Sequence, residues 1–168
     1  ALAQLTNGKP ARLADIPDTD AEAFRALNLL TAKPVLYVAN VDEGSAATGN
    51  DHARRVEEMA AAEGAGCVVI SAGIEAEISQ LPDAEQREFL DSLGLEEPGL
   101  DRLIRAGYDL LGLITFFTAG PKEARAWTVE KGARAPQAAG TIHTDFEKGF
   151  IRAQTIAYDD FVGLGGEQ

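Results

Sequence analysis

Lys33-Pro34-Val35-Leu36-Tyr37-Val38-Ala39-Asn40-Val41-Asp42-Glu43 is the stretch that decides how this chain is read. Val35 to Ala39 is a short apolar run, bounded by Pro34 and Asn40, and predicts a buried strand. The strand delivers Asn40 to a loop, and Glu43 follows three residues later. In an open α/β sheet, ligands bind beyond the carboxyl ends of the strands. An Asn in that place suits a purine, because its amide both accepts and donates and can pair with adenine N6 and N7. Taken alone, the same residues also describe an Asn that caps a turn and a Glu that points into solvent. A second apolar strand, Cys67 to Ile70, follows a helical stretch and runs into Ser71-Ala72. The order is strand, Asn, helix, strand, Ser-Ala, which predicts an α/β fold.

That order matches the fourth and fifth nucleotide motifs of P-loop GTPases, in which the Ser-Ala backbone lies along the base edge. Those proteins carry Asp where this chain has Glu43, and the Asp accepts from guanine N1 and the 2-amino group. Glu43 is one methylene longer, and adenine has no 2-amino group. Four longer strings, LLTAKPVLYVANVDE, ISAGIEAEISQL, LGLITFFTAGPKEARAW and APQAAGTIHTDFEKGFIRAQTI, closely resemble the YchF-type (Obg-like) ATPase family, and the resemblance runs over nearly the whole chain. It implies part of a P-loop GTPase-like nucleotide domain (strand-helix-strand), followed by an incomplete β-grasp, or TGS-like, domain. It implies a cytoplasmic parent protein that hydrolyses ATP to ADP and phosphate with Mg²⁺. It also implies association with the ribosome, through the large subunit or the 70S particle. By the same resemblance Asn40, Val41, Glu43, Ser71, Ala72 and Gly73 contact the nucleotide, ATP or else GTP. The family usually carries a longer polar residue where this chain has Gly73.

No G-x-x-x-x-G-K-S/T phosphate loop occurs in the 168 residues. Gly44-Ser45-Ala46-Ala47-Thr48-Gly49 is Gly-rich, but no Lys follows it. Asp109 to Gly112 spells D-x-x-G, yet it closes an amphipathic helix, where Gly112 reads as a C-terminal cap. No catalytic residue and no metal ligand is therefore assigned to this chain. The phosphate loop and Mg²⁺ ligands are expected in an N-terminal half. The chain reads as roughly the C-terminal half of such an ATPase, beginning in its helical insertion and stopping at Gly165-Gly166-Glu167-Gln168, before the family's final strands.

The net charge of −12 and pI of about 4.5 oppose broad contact with phosphate backbones, which needs Lys and Arg, and no DNA partner is expected. A single Cys excludes an internal disulfide framework and fits a reducing compartment. No stretch approaches the roughly 20 apolar residues of a membrane span, so no membrane partner is expected, and Ala1 to Leu5 is too short for a signal peptide.

Along the chain, residues 1–19 read as the end of a helical (coiled-coil) insertion, with Asn7-Gly8-Lys9-Pro10 as a break. Residues 20–111 read as the C-terminal part of the nucleotide domain. Asp20 is expected to cap a helix through Leu30, with Phe24, Leu27 and Leu30 on one face. Asn50 or Asp51 starts a helix over Ala53 to Glu63, with Val56, Met59 and Ala60 inward. Glu75 to Leu81 is a short helix or turn, and Asp83 caps a helix to Leu93. Leu100, Leu103, Ile104, Tyr108 and Leu111 recur at helical spacing. Residues 112–168 read as the TGS-like domain: a hairpin of Leu113 to Thr118 and Ala124 to Val129, a helix from Pro136 to Gly149 with Ala139, Ile142 and Phe146 inward, and a strand from Phe150 to Ile156.

The remaining chemistry-bearing residues have bland readings. His52 and His143 have no partners at metal-ligand spacing. Cys67 in an apolar strand reads as a buried thiol. Glu57-Glu58, Glu75-Glu77 and Asp159-Asp160 read as solvated faces. Trp127, Phe116 and Phe117 read as β-grasp core. Lys122, Arg125, Lys131, Arg134, Lys148 and Arg152 make the last third locally basic, a hint of a ribosomal RNA face. The alternative to an ATPase part is a non-catalytic TGS-type adaptor that docks to ribosome or protein. A third reading is a general α/β hydrolase, but no nucleophile with an adjacent base is visible.

Overall fold

The computed structural model describes residues 1–166, so Glu167 and Gln168 lie outside the described residues. It is a mixed α/β structure of two compact units, Ala1–Leu111 and Gly112–Gln168.

In the first unit β1 (Leu36–Asn40) and β2 (Gly66–Ile70) pair in parallel, with Leu36 opposite Gly66 and Asn40 opposite Ile70. Before them come α1 (Leu2–Thr6), α2 (Ala21–Ala26) and three single 3₁₀ turns. The connection between the strands is α3 (Asp51–Ala62). A parallel pair needs such a crossover, since a tight turn cannot return the chain to the same end of the sheet. Asn50 caps α3 with its side chain, accepting from the backbone N–H groups of His52 and Ala53 at 3.0 and 2.9 Å. Gly64, at φ +67°, turns the chain out of α3 and into β2. After β2 come α4 (Ala72–Ile78), α5 (Asp83–Ser92) and α6 (Gly99–Leu110). Helices α3 and α6 both pack on the two strands. The apolar cluster is Ala46, Ile74, Ile78, Leu90 and Leu95, flanked by Phe89 and Leu93. It lies beneath α4 and α5, so the loop after β1 and the first turn of α4 both rest on packed side chains.

Several elements differ from the sequence reading. Helix α2 stops at Ala26 instead of Leu30, because Asn28 takes the left-handed conformation at φ +47°, a common way for Asn to end a helix. Leu27 and Leu30 are consequently exposed. Asp20 stands at the N-cap position without a capping hydrogen bond. In α3 the buried residues are Ala53 and Ala60, while Met59 is exposed. Helix α4 begins at Ala72, directly after β2, three residues before the expected start.

In the second unit β3 (Leu113–Ala119) and β4 (Ala124–Glu130) form the antiparallel hairpin, with Phe116 opposite Trp127. The expected single helix is two, α7 (Ala135–Ile142) and α8 (Thr144–Lys148). His143, at φ −159° and ψ 137°, ends the first and caps the second, its Nδ1 accepting from the Asp145 N–H at 3.2 Å. The break turns Phe146 outward, leaving it 54% exposed. The expected strand from Phe150 to Ile156 is absent: those residues make no ladder with either strand. They carry β-branched residues but lack a paired edge, and propensity alone does not build a sheet. A short helix, α9 (Tyr158–Gly163), follows, and Tyr158 lays its ring 5.5 Å from that of Phe117.

Candidate functional site

The carboxyl ends of β1 and β2 lie side by side, because Asn40 and Ile70 are register partners. The pairing continues one step past the strands, with the Val41 N–H donating to Ile70 O at 2.8 Å. Val41 is buried, which holds the start of the loop down. Asn40 Oδ1 accepts from the Ala72 N–H at 2.9 Å. One side chain from the first strand thus ties down the residue that opens α4. Asn40 Nδ2 remains as a donor without a partner among the described residues.

Beyond Asn40 the chain makes a 3₁₀ turn, Glu43–Ser45, locked by Ser45 Oγ donating to Asp42 Oδ1 at 2.9 Å. A cavity of about 410 Å³ opens here, lined by Asn40, Val41, Asp42, Glu43, Gly44, Ser71 and Gly73. The two segments singled out in the sequence therefore share one concavity. Ala72 does not line the cavity, and its backbone N–H is taken by Asn40 Oδ1. Asp42 and Gly44 join the lining without having been singled out, and their place between Val41 and Ser45 is the signal that would have found them. Ser71 is buried, whereas the lining residues Asn40, Glu43 and Gly73 are exposed, as is Ala72. Glu43 folds toward α4: a Cβ built on Gly73 would stand 3.1 Å from Glu43 Oε1. The arrangement offers an amide donor, a carboxylate acceptor and an apolar floor.

Glu75 does not have the solvated role read from the sequence. Its carboxylate accepts from the backbone N–H groups of Gly99 at 2.7 Å and Leu100 at 3.1 Å, capping α6 from α4. Gly99 is buried, and a Cβ there would meet Glu75 Oε1 at 2.8 Å and Ile70 Cγ2 at 3.0 Å. Glu57, Glu58, Glu77, Asp159 and Asp160 are exposed. Away from the cavity, Glu63 accepts from Arg12 at 2.5 Å and from Tyr37 Oη at 3.0 Å. The Arg12 hydrogen bond, then that of Tyr37, holds the Glu63 carboxyl below its ordinary range, and the bond to Glu63 pushes the Tyr37 phenol up. Glu97 pairs with Arg105, which likewise lowers the carboxyl and raises the guanidinium. Burial and then Glu57 push the Cys67 thiol up. His52 is exposed in the first turn of α3. Among the described residues no group of three or more His, Cys, Asp or Glu is placed to hold a metal ion. No helix among them is long and apolar enough to cross a membrane.

Trp127 is half-buried and Phe117 is 58% exposed. The Arg125 guanidinium stacks 4.3 Å over the Trp127 ring, whose Nε1 donates to Thr118 Oγ1 at 2.9 Å.

Comparisons with known proteins bear on the family and the fold. Residues 113–168 match a family model described as "YchF-GTPase_C: Protein of unknown function (DUF933)". Over 167 residues the chain is 54% identical to "Ribosome-binding ATPase YchF" of Escherichia coli O157:H7, covering 99% of this chain and 46% of that protein. It is 51% identical to the protein of the same name from Bacillus subtilis, over 94% of this chain and 44% of the relative. Its fold resembles the "Structure of the Schizosaccharomyces pombe YchF GTPase", with a TM-score of 0.77 and 35% identity, covering 87% of this chain and 39% of that one. The chain spans a little less than half the length of the curated relatives it matches.

Proposed function

Since this chain belongs to the YchF-type (Obg-like) ATPase family, we propose that it carries the base-recognition part of a nucleoside triphosphatase that takes ATP in preference to GTP and associates with the ribosome in the cytoplasm. Residues 20–111 then belong to the nucleotide domain, residues 1–19 to the end of its helical insertion, and residues 112–168 to the TGS-like domain. The observation that carries the reading is the cavity at the ends of the parallel pair, with Asn40, one of its lining residues, bonded to the Ala72 N–H. Such a position is where open α/β sheets bind ligands. The residues fit a purine: Asn40 Nδ2 donates, Glu43 accepts, and Val41 floors the cavity. They do not supply a ligand set for Mg²⁺ or a phosphate loop, so neither is assigned to residues of this chain. The YchF relatives are named ribosome-binding ATPases, and the ribosome enters the proposal through them.

The test is base choice in the whole gene product that carries this chain. Glu43→Asp restores the acceptor used for guanine and is expected to move the ATP:GTP affinity ratio toward GTP. One base contact is worth about 1–3 kcal/mol, or roughly five- to a hundredfold. Equal ratios for the wild type and the variant, by calorimetric titration, would remove Glu43 from base selection. The 168 residues by themselves are expected to show no Mg²⁺-dependent release of phosphate from ATP, since phosphate and metal cradles supply most of the stabilisation in such reactions. Turnover by the contaminant-free polypeptide would refute this.

A further inference from the structure

Gly73 faces Glu43 at the lip of the cavity. A Cβ at position 73 would lie 3.1 Å from Glu43 Oε1, 3.6 Å from Cγ and 3.8 Å from Cδ. The Glu43 carboxylate has no hydrogen-bond donor among the described residues. No bond fixes its position, and it lies beside the space that a side chain at residue 73 would occupy. Asn40 differs: its Oδ1 is engaged by the Ala72 N–H, which leaves Nδ2 to act toward a ligand. The two side chains divide the work, Asn40 as donor and Glu43 as acceptor. That pair complements N7, an acceptor, beside a 6-amino group, a donor. A 6-oxo purine would instead turn an acceptor toward a carboxylate. We infer that in this chain, where the family resemblance implies a longer side chain, Gly73 sets discrimination at the purine 6-position by leaving the space into which the Glu43 carboxylate folds. It is a positioning residue that acts through Glu43. The inference rests on the base-binding reading above. Because the atom nearest the missing Cβ belongs to the end of a flexible side chain, a residue at 73 displaces Glu43 before it disturbs α4. Gly73 also has no left-handed backbone to preserve, so Ala is compatible with the helix.

The experiment measures ATP and ITP affinities in the whole gene product, since the two bases differ only at the 6-position and its coupled ring proton. The proteins are wild type, Gly73→Ala, Gly73→Leu, Glu43→Gln and the double variant Gly73→Leu/Glu43→Gln, with melting temperatures to confirm folding. The expected result is a wild-type preference for ATP that Glu43→Gln abolishes. Gly73→Leu lowers that preference roughly fivefold or more, on the scale of one base contact, and Gly73→Ala lowers it by less. In the Glu43→Gln background Gly73→Leu changes nothing further, the pattern of two residues acting through one another. If Glu43→Gln abolishes the preference and neither Gly73 variant alters it, the role of Gly73 is overturned and the base-binding reading stands. An equal loss from Gly73→Leu with and without Glu43 overturns the positioning role, because Gly73 would then act on the base itself. If the wild type binds ATP and ITP equally and Glu43→Gln is silent, the base-binding reading fails and the inference with it.

Discussion

Arg12, Tyr37 and Glu63 show how a few side chains join distant parts of the first unit. Arg12 lies in an early 3₁₀ turn, Tyr37 in β1 and Glu63 at the C-cap of α3. The two donors converge on one carboxylate oxygen, Glu63 Oε2. Because the folded Glu63 carboxyl is held below its ordinary 4.5, the folded state binds its proton less tightly than the unfolded chain. Its contribution is present above that value and is lost as pH falls through the depressed one. Tyr37 works in the opposite sense. Its raised phenol contributes below the ordinary 10.0 and loses that contribution as pH climbs higher. Glu63→Gln is therefore expected to lower the melting temperature near neutral pH and to have an effect that shrinks as pH falls below about 4.5. Parallel curves for wild type and variant across that range would remove this ionic role. None of this cluster was legible in the sequence, where Glu63 was the last residue of a helix and Arg12 fell within the end of a helical insertion. Pairs so far apart in sequence leave no local pattern. The position of Asn40 was legible because it follows from where a strand ends.

Among the elements, the strands were the easiest to read and the helix ends the hardest. The β1, β2 and β3 runs are short and apolar with Pro, Gly or Asn beside them, and β4 follows the Gly120-Pro121 turn, so their limits move by a residue or so. Helix ends depend on single residues whose conformation the period does not reveal. Asn28 turned left-handed and shortened α2, and His143 took an extended backbone and split α7 from α8. The segment from Phe150 to Ile156 had strand-like composition but no partner edge. Helix α3 was read well because Asn50 carries its own signal. Replacing that cap, Asn50→Ala, is expected to lower stability by about 1 kcal/mol, since two N–H groups would lose their acceptor. Chemical denaturation with an unchanged slope would measure it, and a change within error would show that water replaces the cap. Glu75 capping α6 has no such signal, because cap and helix come from different parts of the chain.

At the scale of the whole molecule, charge is divided unevenly. Residues 1–111 hold nine Lys and Arg against twenty Asp and Glu, while residues 112–168 hold six against seven. If part of the protein approaches RNA, the second unit meets less repulsion. Lys122, Arg134 and Arg152 are exposed there, whereas Arg125 is already engaged by Trp127. Reversing those three to Glu in the whole gene product is expected to weaken co-sedimentation with ribosomes, most clearly at low salt, where screening is least. Nucleotide affinity is expected to hold, since the cavity lies in the first unit. Unchanged co-sedimentation across a salt series would locate the contact elsewhere. The single cysteine has a practical consequence at this scale. Cys67 sits in β2 opposite Tyr37, half-buried, with a thiol pushed up by burial. A maleimide dye should therefore couple slowly while the parallel pair stays closed. The labelling rate becomes a clock for how often the first unit breathes, and no engineered tag or removal of competing thiols is needed to start it.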